Sequence, residues 1–202
     1  MNRPDLDDVE EALRAGRVVA VPTDTVYGLA VDPRVPEAVS RLFALKGRPE
    51  RLALPVLIAD RSELAELAKV TPAADRLATR YWPGPLTLVL WRLPGVEFEL
   101  GGDRATIGLR CPASSLLREL LRRTGPLAVT SANRHGDDPM HTADEVRERF
   151  GGELTVVLDG GACDGRPSTV VSLTGAFAVC LREGELGFAE IAAAASGEVP
   201  LG

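Results

Sequence analysis

Short apolar runs rich in β-branched residues alternate along this chain with segments whose apolar positions recur every three or four residues, which predicts an α/β domain. Arg17 to Val21 reads as a buried strand, bounded by Gly16 and ended by Pro22, which has no N–H to give a ladder. Further strands are expected at Leu54 to Ile58, Leu86 to Trp91, Thr106 to Arg110, Leu127 to Thr130, Leu154 to Leu158, Thr169 to Leu173 and Phe177 to Leu181. Helices are expected from Asp7 to Ala15, closed by Gly16, and from Pro36 to Leu45, with Pro at the first turn and Gly47 past the end. Asp60 and Glu63 form a capping box for another, Thr71-Pro72 opens one running toward Tyr81, and two more span Ser115 to Arg123 and Thr142 to Phe150. Pro94 to Asp103 is weakly patterned and reads as a loop, and the Ala-rich tail after Ile191 is expected to fray. No internal repeat or linker divides the chain, so residues 1–202 read as one domain.

Composition narrows the function classes. A length of 202 residues with 45% hydrophobic content allows a substantial core. A net charge of −6 argues against coating nucleic acid by bulk charge and leaves room for a local basic pocket. The N-terminal segment is acidic where a signal peptide would be basic and apolar, and no apolar run reaches membrane-span length, so the expected compartment is the cytoplasm, with no membrane partner. Cys111, Cys163 and Cys180 are widely spaced without C-x-x-C, and His135 and His141 lack a ligand set, so no metal site is expected.

The candidate chemistry lies in polar clusters against apolar runs. Val21 to Leu29 follows a strand and gathers Thr23, Asp24, Thr25 and Tyr27. Alone it reads as a turn whose side chains satisfy their own backbone. Lys46 and Arg48 flank Gly47 at a helix end, where cations favour the dipole, yet a point charge beside a planar fork also suits a carboxylate, bicarbonate or phosphate. Thr106 to Arg110 and Thr130 to Asn133 place further hydroxyls, an amide and a guanidinium at strand ends, and the ends of three strands are expected to converge on one crevice. Ser168-Thr169 and Arg182-Glu183-Gly184 repeat the pattern. There is no G-x-x-x-x-G-K-[ST], no compelling Ser/His/Asp order and no activated cysteine, so the chemistry expected is positioning and charge neutralisation.

Taken together these residues resemble the YrdC family, whose characterised members are L-threonylcarbamoyladenylate synthases. The resemblance runs from Arg17 to about Leu186 and is carried by Pro22 to Leu29, Lys46 with Arg48, Tyr81 to Thr87, Ser131 with Asn133, Ser168 to Val171 and Leu181 to Gly184. It implies a YrdC-like domain, in its short form, with a twisted mixed β-sheet flanked by helices and a concave polar, basic binding face. It implies a reaction of L-threonine, bicarbonate and ATP that gives threonylcarbamoyl-AMP and pyrophosphate. Magnesium would accompany the ATP as substrate, and no tightly bound cofactor is implied. A tRNA-modifying threonylcarbamoyl transferase complex would then use the product at position 37 of tRNA.

By resemblance, Thr23, Thr25, Tyr27, Arg110 and Ser168 would serve L-threonine and bicarbonate. Arg48, Thr106, Thr130, Ser131, Asn133 and Arg182 would line the ATP site, and Lys46 would sit between, with Lys46 and Arg48 the catalytic pair. Leu52 stands where many members, and Leu57 where some, carry polar contacts, and His135 replaces a hydroxyl. These departures keep open a paralogue acting on a different carbamoyl or acyl adenylate, and the concave surface that the resemblance implies keeps open an RNA-binding module of the same fold that takes tRNA or double-stranded RNA locally.

Overall fold

The computed structural model describes residues 5–154 and 156–197. Its helices begin and end where local chemistry directs. Asp5 caps α1 (Leu6–Arg14), accepting from the N–H groups of Asp7 and Asp8 while the Asp8 carboxylate accepts from Asp5 N–H. α2 (Pro36–Lys46) carries Pro in its first turn and is closed by Gly47 at φ 60, a left-handed conformation that costs glycine little. The Asp60–Glu63 capping box forms, but it opens only a 3-10 turn (Arg61–Glu63) and the single-turn α3 (Leu64–Leu67). Thr71 caps α4 (Pro72–Tyr81), Ser114 caps α5 (Ser115–Thr124) and Thr142 caps α6 (Ala143–Phe150). The expectation that the tail frays is corrected: α7 (Phe188–Ser196) buries Ile191 and Ala195, spaced one turn apart, and packs on α4.

The strands are β1 (Val19–Val21), β2 (Gly28–Val31), β3 (Val56–Leu57), β4 (Leu86–Trp91), β5 (Thr106–Arg110), β6 (Leu127–Ser131), β7 (Val156–Val157), β8 (Thr169–Ser172) and β9 (Val179–Arg182). They form one mixed sheet in the order β7-β1-β2-β6-β3-β5-β4-β8-β9. β2 is absent from the sequence-based expectation because the polar motif before it reads as continuous loop. The strands expected at Leu54 to Ile58 and Leu154 to Leu158 shrink to two-residue pairings, and Thr155 of the latter lies outside the described residues.

Antiparallel pairing overturns the expected convergence of strand ends. β3 pairs parallel with β5 and antiparallel with β6, so the carboxyl ends of β5 and β6 point in opposite directions. What the polar residues share is a face of the sheet. Directly paired residues lie on one face, and so do residues two apart along a strand. The registers Gly28↔Ser131, Leu57↔Leu127, Leu57↔Arg110, Val89↔Gly108 and Thr87↔Val170 therefore assign all of these positions to a single face.

That face is divided. Its β7-β1-β2-β6-β3 half is covered by α1 and α5, whose Val9, Ala12, Leu13, Leu117, Leu120 and Leu121 pack on Val19, Val21, Leu127 and Val129. No helical residue lines the remaining half over β5, β4, β8 and β9. The opposite face carries the larger core, where α2, α4, α6 and α7 cover Leu29, Val56, Leu88, Leu109 and Val171. One half-face is thus left open on a sheet that is otherwise buried on both sides.

Candidate functional site

The open half-face is the floor of a cavity of about 540 Å³, a size suited to a nucleotide-sized ligand. β5 contributes Thr106, Gly108 and Arg110 to this floor at two-residue intervals, β4 contributes Thr87 and Val89, and the β8 segment contributes Ser168 and Val170. Gly108 keeps the middle of the floor low.

Arg182 reaches this face through an irregularity. Val171 pairs with Cys180 but Val170 pairs with Arg182, so one extra residue, Leu181, is accommodated in β9. In unbroken register Arg182 would oppose Thr169 and follow it into the core. The bulge instead directs it to Ser168, whose carbonyl accepts from Arg182 Nη2 at 2.7 Å and Nε at 3.1 Å.

Arg110 is the most constrained cation of the site. It is 5% exposed. Its Nε donates to Gly84 O at 3.0 Å, Nη1 to Thr25 Oγ1 at 3.3 Å and Nη2 to Asp24 Oδ1 at 2.7 Å. Three of five N–H donors are spent on orientation, which leaves two for a ligand carboxylate. Burial pulls its pKa down, and the Asp24 carboxylate opposes that pull. Gly84 lies in the Tyr81 to Thr87 motif, so one function of that motif is to supply a carbonyl anchor.

Thr23 holds the loop before β2 together. Its Oγ1 donates to Val26 O at 2.6 Å and accepts from the Thr25 and Val26 N–H groups at 3.0 and 3.2 Å. The motif is thus a self-satisfied turn, and that turn presents Thr25 to Arg110. Tyr27 borders the cavity, but its ring is in the core. Its hydroxyl donates to Gly161 O at 2.9 Å and accepts from Gly160 N–H at 3.3 Å, which commits it to the Gly160–Gly161 loop rather than to a ligand.

Of the residues singled out from sequence, Thr23, Thr25, Tyr27, Arg48, Thr106, Arg110, Thr130, Ser131, Ser168 and Arg182 line this one cavity. Lys46 and Asn133 do not. Lys46 lies beneath the lining, 2% exposed, with Nζ donating to Ser131 O at 2.6 Å, Asn133 O at 2.8 Å and Asn133 Oδ1 at 2.9 Å. Its three protons are all engaged, so the expectation of a free point charge between ligands is replaced by that of a brace. Burial first, then the Arg48 charge, lowers the Lys46 pKa to about 7, with Asp137 opposing. Asn133 is likewise saturated, accepting from Ser131 Oγ at 2.6 Å and donating to the carbonyls of Arg134 and Asp137.

Sequence reasoning noticed Asp24 and the motif holding Gly84 and Thr87 without giving these residues a role, and it missed Arg51. Thr87 Oγ1 lies 2.9 Å from Ser168 Oγ, and Arg51 joins Arg48, Arg110 and Arg182 in the lining. Among the described residues, no Asp or Glu lines the cavity and no cluster of three His, Cys, Asp or Glu side chains could hold a metal ion. Four guanidiniums without a lining carboxylate make a site for polyanions. Arg182 records the crowding: after burial, repulsion from Arg110 and Arg48 lowers its pKa. Of the three departures noted in the sequence, Leu52 and Leu57 also line it and His135 does not.

Comparison with known proteins agrees with this fold. Residues 11–184 match the Sua5/YciO/YrdC family model, described as "Telomere recombination". The threonylcarbamoyl-AMP synthase of Methylobacillus flagellatus is 38% identical over 176 residues, covering 83% of this chain and 95% of that protein. The threonylcarbamoyl-AMP synthase of Pyrococcus abyssi is 41% identical over 182 residues, covering 89% of this chain but 54% of its own length. The crystal structure of P. abyssi Sua5 complexed with L-threonine superimposes with a TM-score of 0.87 at 38% identity, over 98% of this chain and 60% of that one. The chain thus spans little more than half of the archaeal protein and nearly all of the bacterial one. Among the described residues, no helix is long and apolar enough to cross a membrane.

Proposed function

The chain belongs to the Sua5/YciO/YrdC family, and on that premise we propose that it is a threonylcarbamoyl-AMP synthase acting as one YrdC-like domain over residues 1–202. The observation that carries the reading is the cavity itself: an oriented, buried Arg110 with two spare donors at one end and three more guanidiniums around a floor of hydroxyls.

L-Threonine condenses with bicarbonate to a carbamate and water. A carbamate oxygen then attacks the α-phosphorus of ATP, the new P–O bond forms, and the bond to the β-bridging oxygen breaks. Pyrophosphate leaves with that electron pair. Arg110 takes the threonine carboxylate, with Thr25 and Ser168 at the same end and Thr23 holding the loop that carries Thr25. Arg48, Thr106, Thr130, Ser131 and Arg182 take the nucleotide. Lys46 and Asn133 act through Ser131, as positioning residues. Catalysis of this kind is alignment and charge neutralisation, which a preorganised set of cations supplies.

The lining has no carboxylate to fit a protein-held metal. Magnesium therefore enters as part of the substrate, on the triphosphate. The product passes to a threonylcarbamoyl transferase complex that modifies position 37 of tRNA, in the cytoplasm, with any direct RNA contact local and salt-sensitive.

Incubation with ATP, bicarbonate and L-threonine, followed by mass spectrometry for threonylcarbamoyl-AMP and an assay for pyrophosphate, tests the reading. Turnover with another amine or acid but none with L-threonine would favour the paralogue, for which Leu52 and Leu57 in the lining are the supporting observation.

A further inference from the structure

Three of the four guanidiniums in the cavity are partly committed within the protein. Arg48 donates to the carbonyls of Leu52 and Ala53, Arg110 to Gly84, Thr25 and Asp24, and Arg182 to Ser168. Arg51 is different. It is exposed, lines the same cavity, and its side chain makes no hydrogen bond or ion pair with any described residue.

The backbone that carries Arg51 is nevertheless pinned. Leu52 N–H donates to Pro49 O at 3.0 Å, Gly102 N–H to Glu50 O at 2.7 Å, and Leu54 N–H to Leu100 O at 2.8 Å. Gly101 and Gly102 sit at φ 68 and 62, and a Cβ on Gly102 would come within 2.8 Å of the Ala53 Cβ. The close approach of the two loops requires these glycines. A side chain without partners therefore extends from a fixed base.

Its place along the floor gives it a direction. β5 runs from Thr106 to Arg110, about 13 Å at roughly 3.3 Å per residue. The pinned turn abuts Gly102, just before Thr106, so Arg51 stands at the end of the cavity opposite Arg110. An in-line displacement places attacking and leaving oxygens on opposite sides of phosphorus. With the amino-acid carboxylate on Arg110, pyrophosphate departs toward Arg51.

We propose that Arg51 binds the β- and γ-phosphates of ATP and stays with them as pyrophosphate when the bond to the α-phosphorus breaks. The assignment rests on the synthase reading for its direction, and it makes Arg51 a substrate-binding residue with no structural duty.

Calorimetric titration of the wild type, Arg51→Ala and Arg51→Lys with ATP, AMP, inorganic pyrophosphate and L-threonine, all with magnesium, tests it. Arg51→Ala should weaken ATP and pyrophosphate by roughly tenfold or more, leave AMP and L-threonine within twofold, and melt with the wild type. Arg51→Lys should recover much of the loss, since a point charge still meets phosphate. Equal losses for ATP and AMP, an unchanged pyrophosphate affinity, or a wild type that binds neither ATP nor pyrophosphate would overturn the assignment. These titrations need no turnover. A wild type that makes no threonylcarbamoyl-AMP yet shows the expected pattern would end the synthase reading and leave Arg51 as a polyphosphate ligand.

Discussion

Lys46 Nζ lies 2.9 Å from Asn133 Oδ1, and Ser131 Oγ donates to the same amide oxygen at 2.6 Å, so one buried cation fixes the segment that presents Ser131 to the cavity. A lysine ordinarily titrating near 10.4 and lowered here to about 7 loses its proton in the fold before it does in the unfolded chain. Between about pH 7 and 10.5 the unfolded state then binds more protons, so this group's contribution makes stability rise with pH across that window and stay flat below it. Urea midpoints of the wild type relative to Lys46→Met should climb from pH 7 to 9.5, while the wild type's affinity for ATP falls as the brace is lost. Parallel midpoints for the two proteins would show that Lys46 keeps an ordinary pKa.

Asp24→Asn should harm both fold and threonine binding. The pair with Arg110 is buried on both sides, 13% and 6% exposed, and removing one partner of such a pair costs about 3–5 kcal/mol. The KM for L-threonine should rise by one to two decades, with the KM for ATP nearly unchanged, in steady-state pyrophosphate assays. An equal rise in both would mean that the damage is general.

L-Threonine should be preferred to serine by roughly 1–3 kcal/mol and to valine by much more. A missing methyl costs the former, and an unpaired hydroxyl partner the latter. Leu57 pairs with Arg110 across β3 and β5, so it is placed to cover the methyl. Pyrophosphate release with each amino acid at saturating ATP and bicarbonate checks this, and equal rates for valine and threonine would remove threonine from the site.

Chelation of magnesium should stop turnover without changing the melting temperature, because no carboxylate cluster among the described residues could make the fold depend on a metal. A fall of several degrees in the ligand-free protein on adding EDTA would reveal a structural ion.

Helix ends are legible in this sequence because caps are local: Thr71-Pro72 and Thr142 with Glu145 announce their helices within a few residues. Long strands such as Leu86–Trp91 are legible for the same reason. What escapes is whatever depends on distant partners. β2 is held by β1 and β6 and begins inside a polar motif, so no run of its own marks it. Asp24 and Arg110 are 86 positions apart. The orientation of Arg182 turns on a one-residue shift between β8 and β9, and alternation alone would assign it to the wrong face. Lys46 is legible as important but not as buried, since a cation at a helix end is normally solvated.

The divided face separates two demands that most binding clefts place on the same residues. Side chains over β5, β4 and β8 on the open half have no helix above them, while their neighbours one position along the strand are packed into the larger core. Replacing a half-buried floor residue such as Val89, Thr106 or Val170 disturbs few packed atoms, whereas Thr87, Arg110 and Ser168 are buried and hydrogen-bonded. Change at the half-buried positions is cheap for folding and consequential for ligand choice, whereas Leu57 lies on β3 and is packed with the α1 and α5 core. Ligand choice on this sheet can therefore change one floor position at a time without the fold first acquiring extra stability.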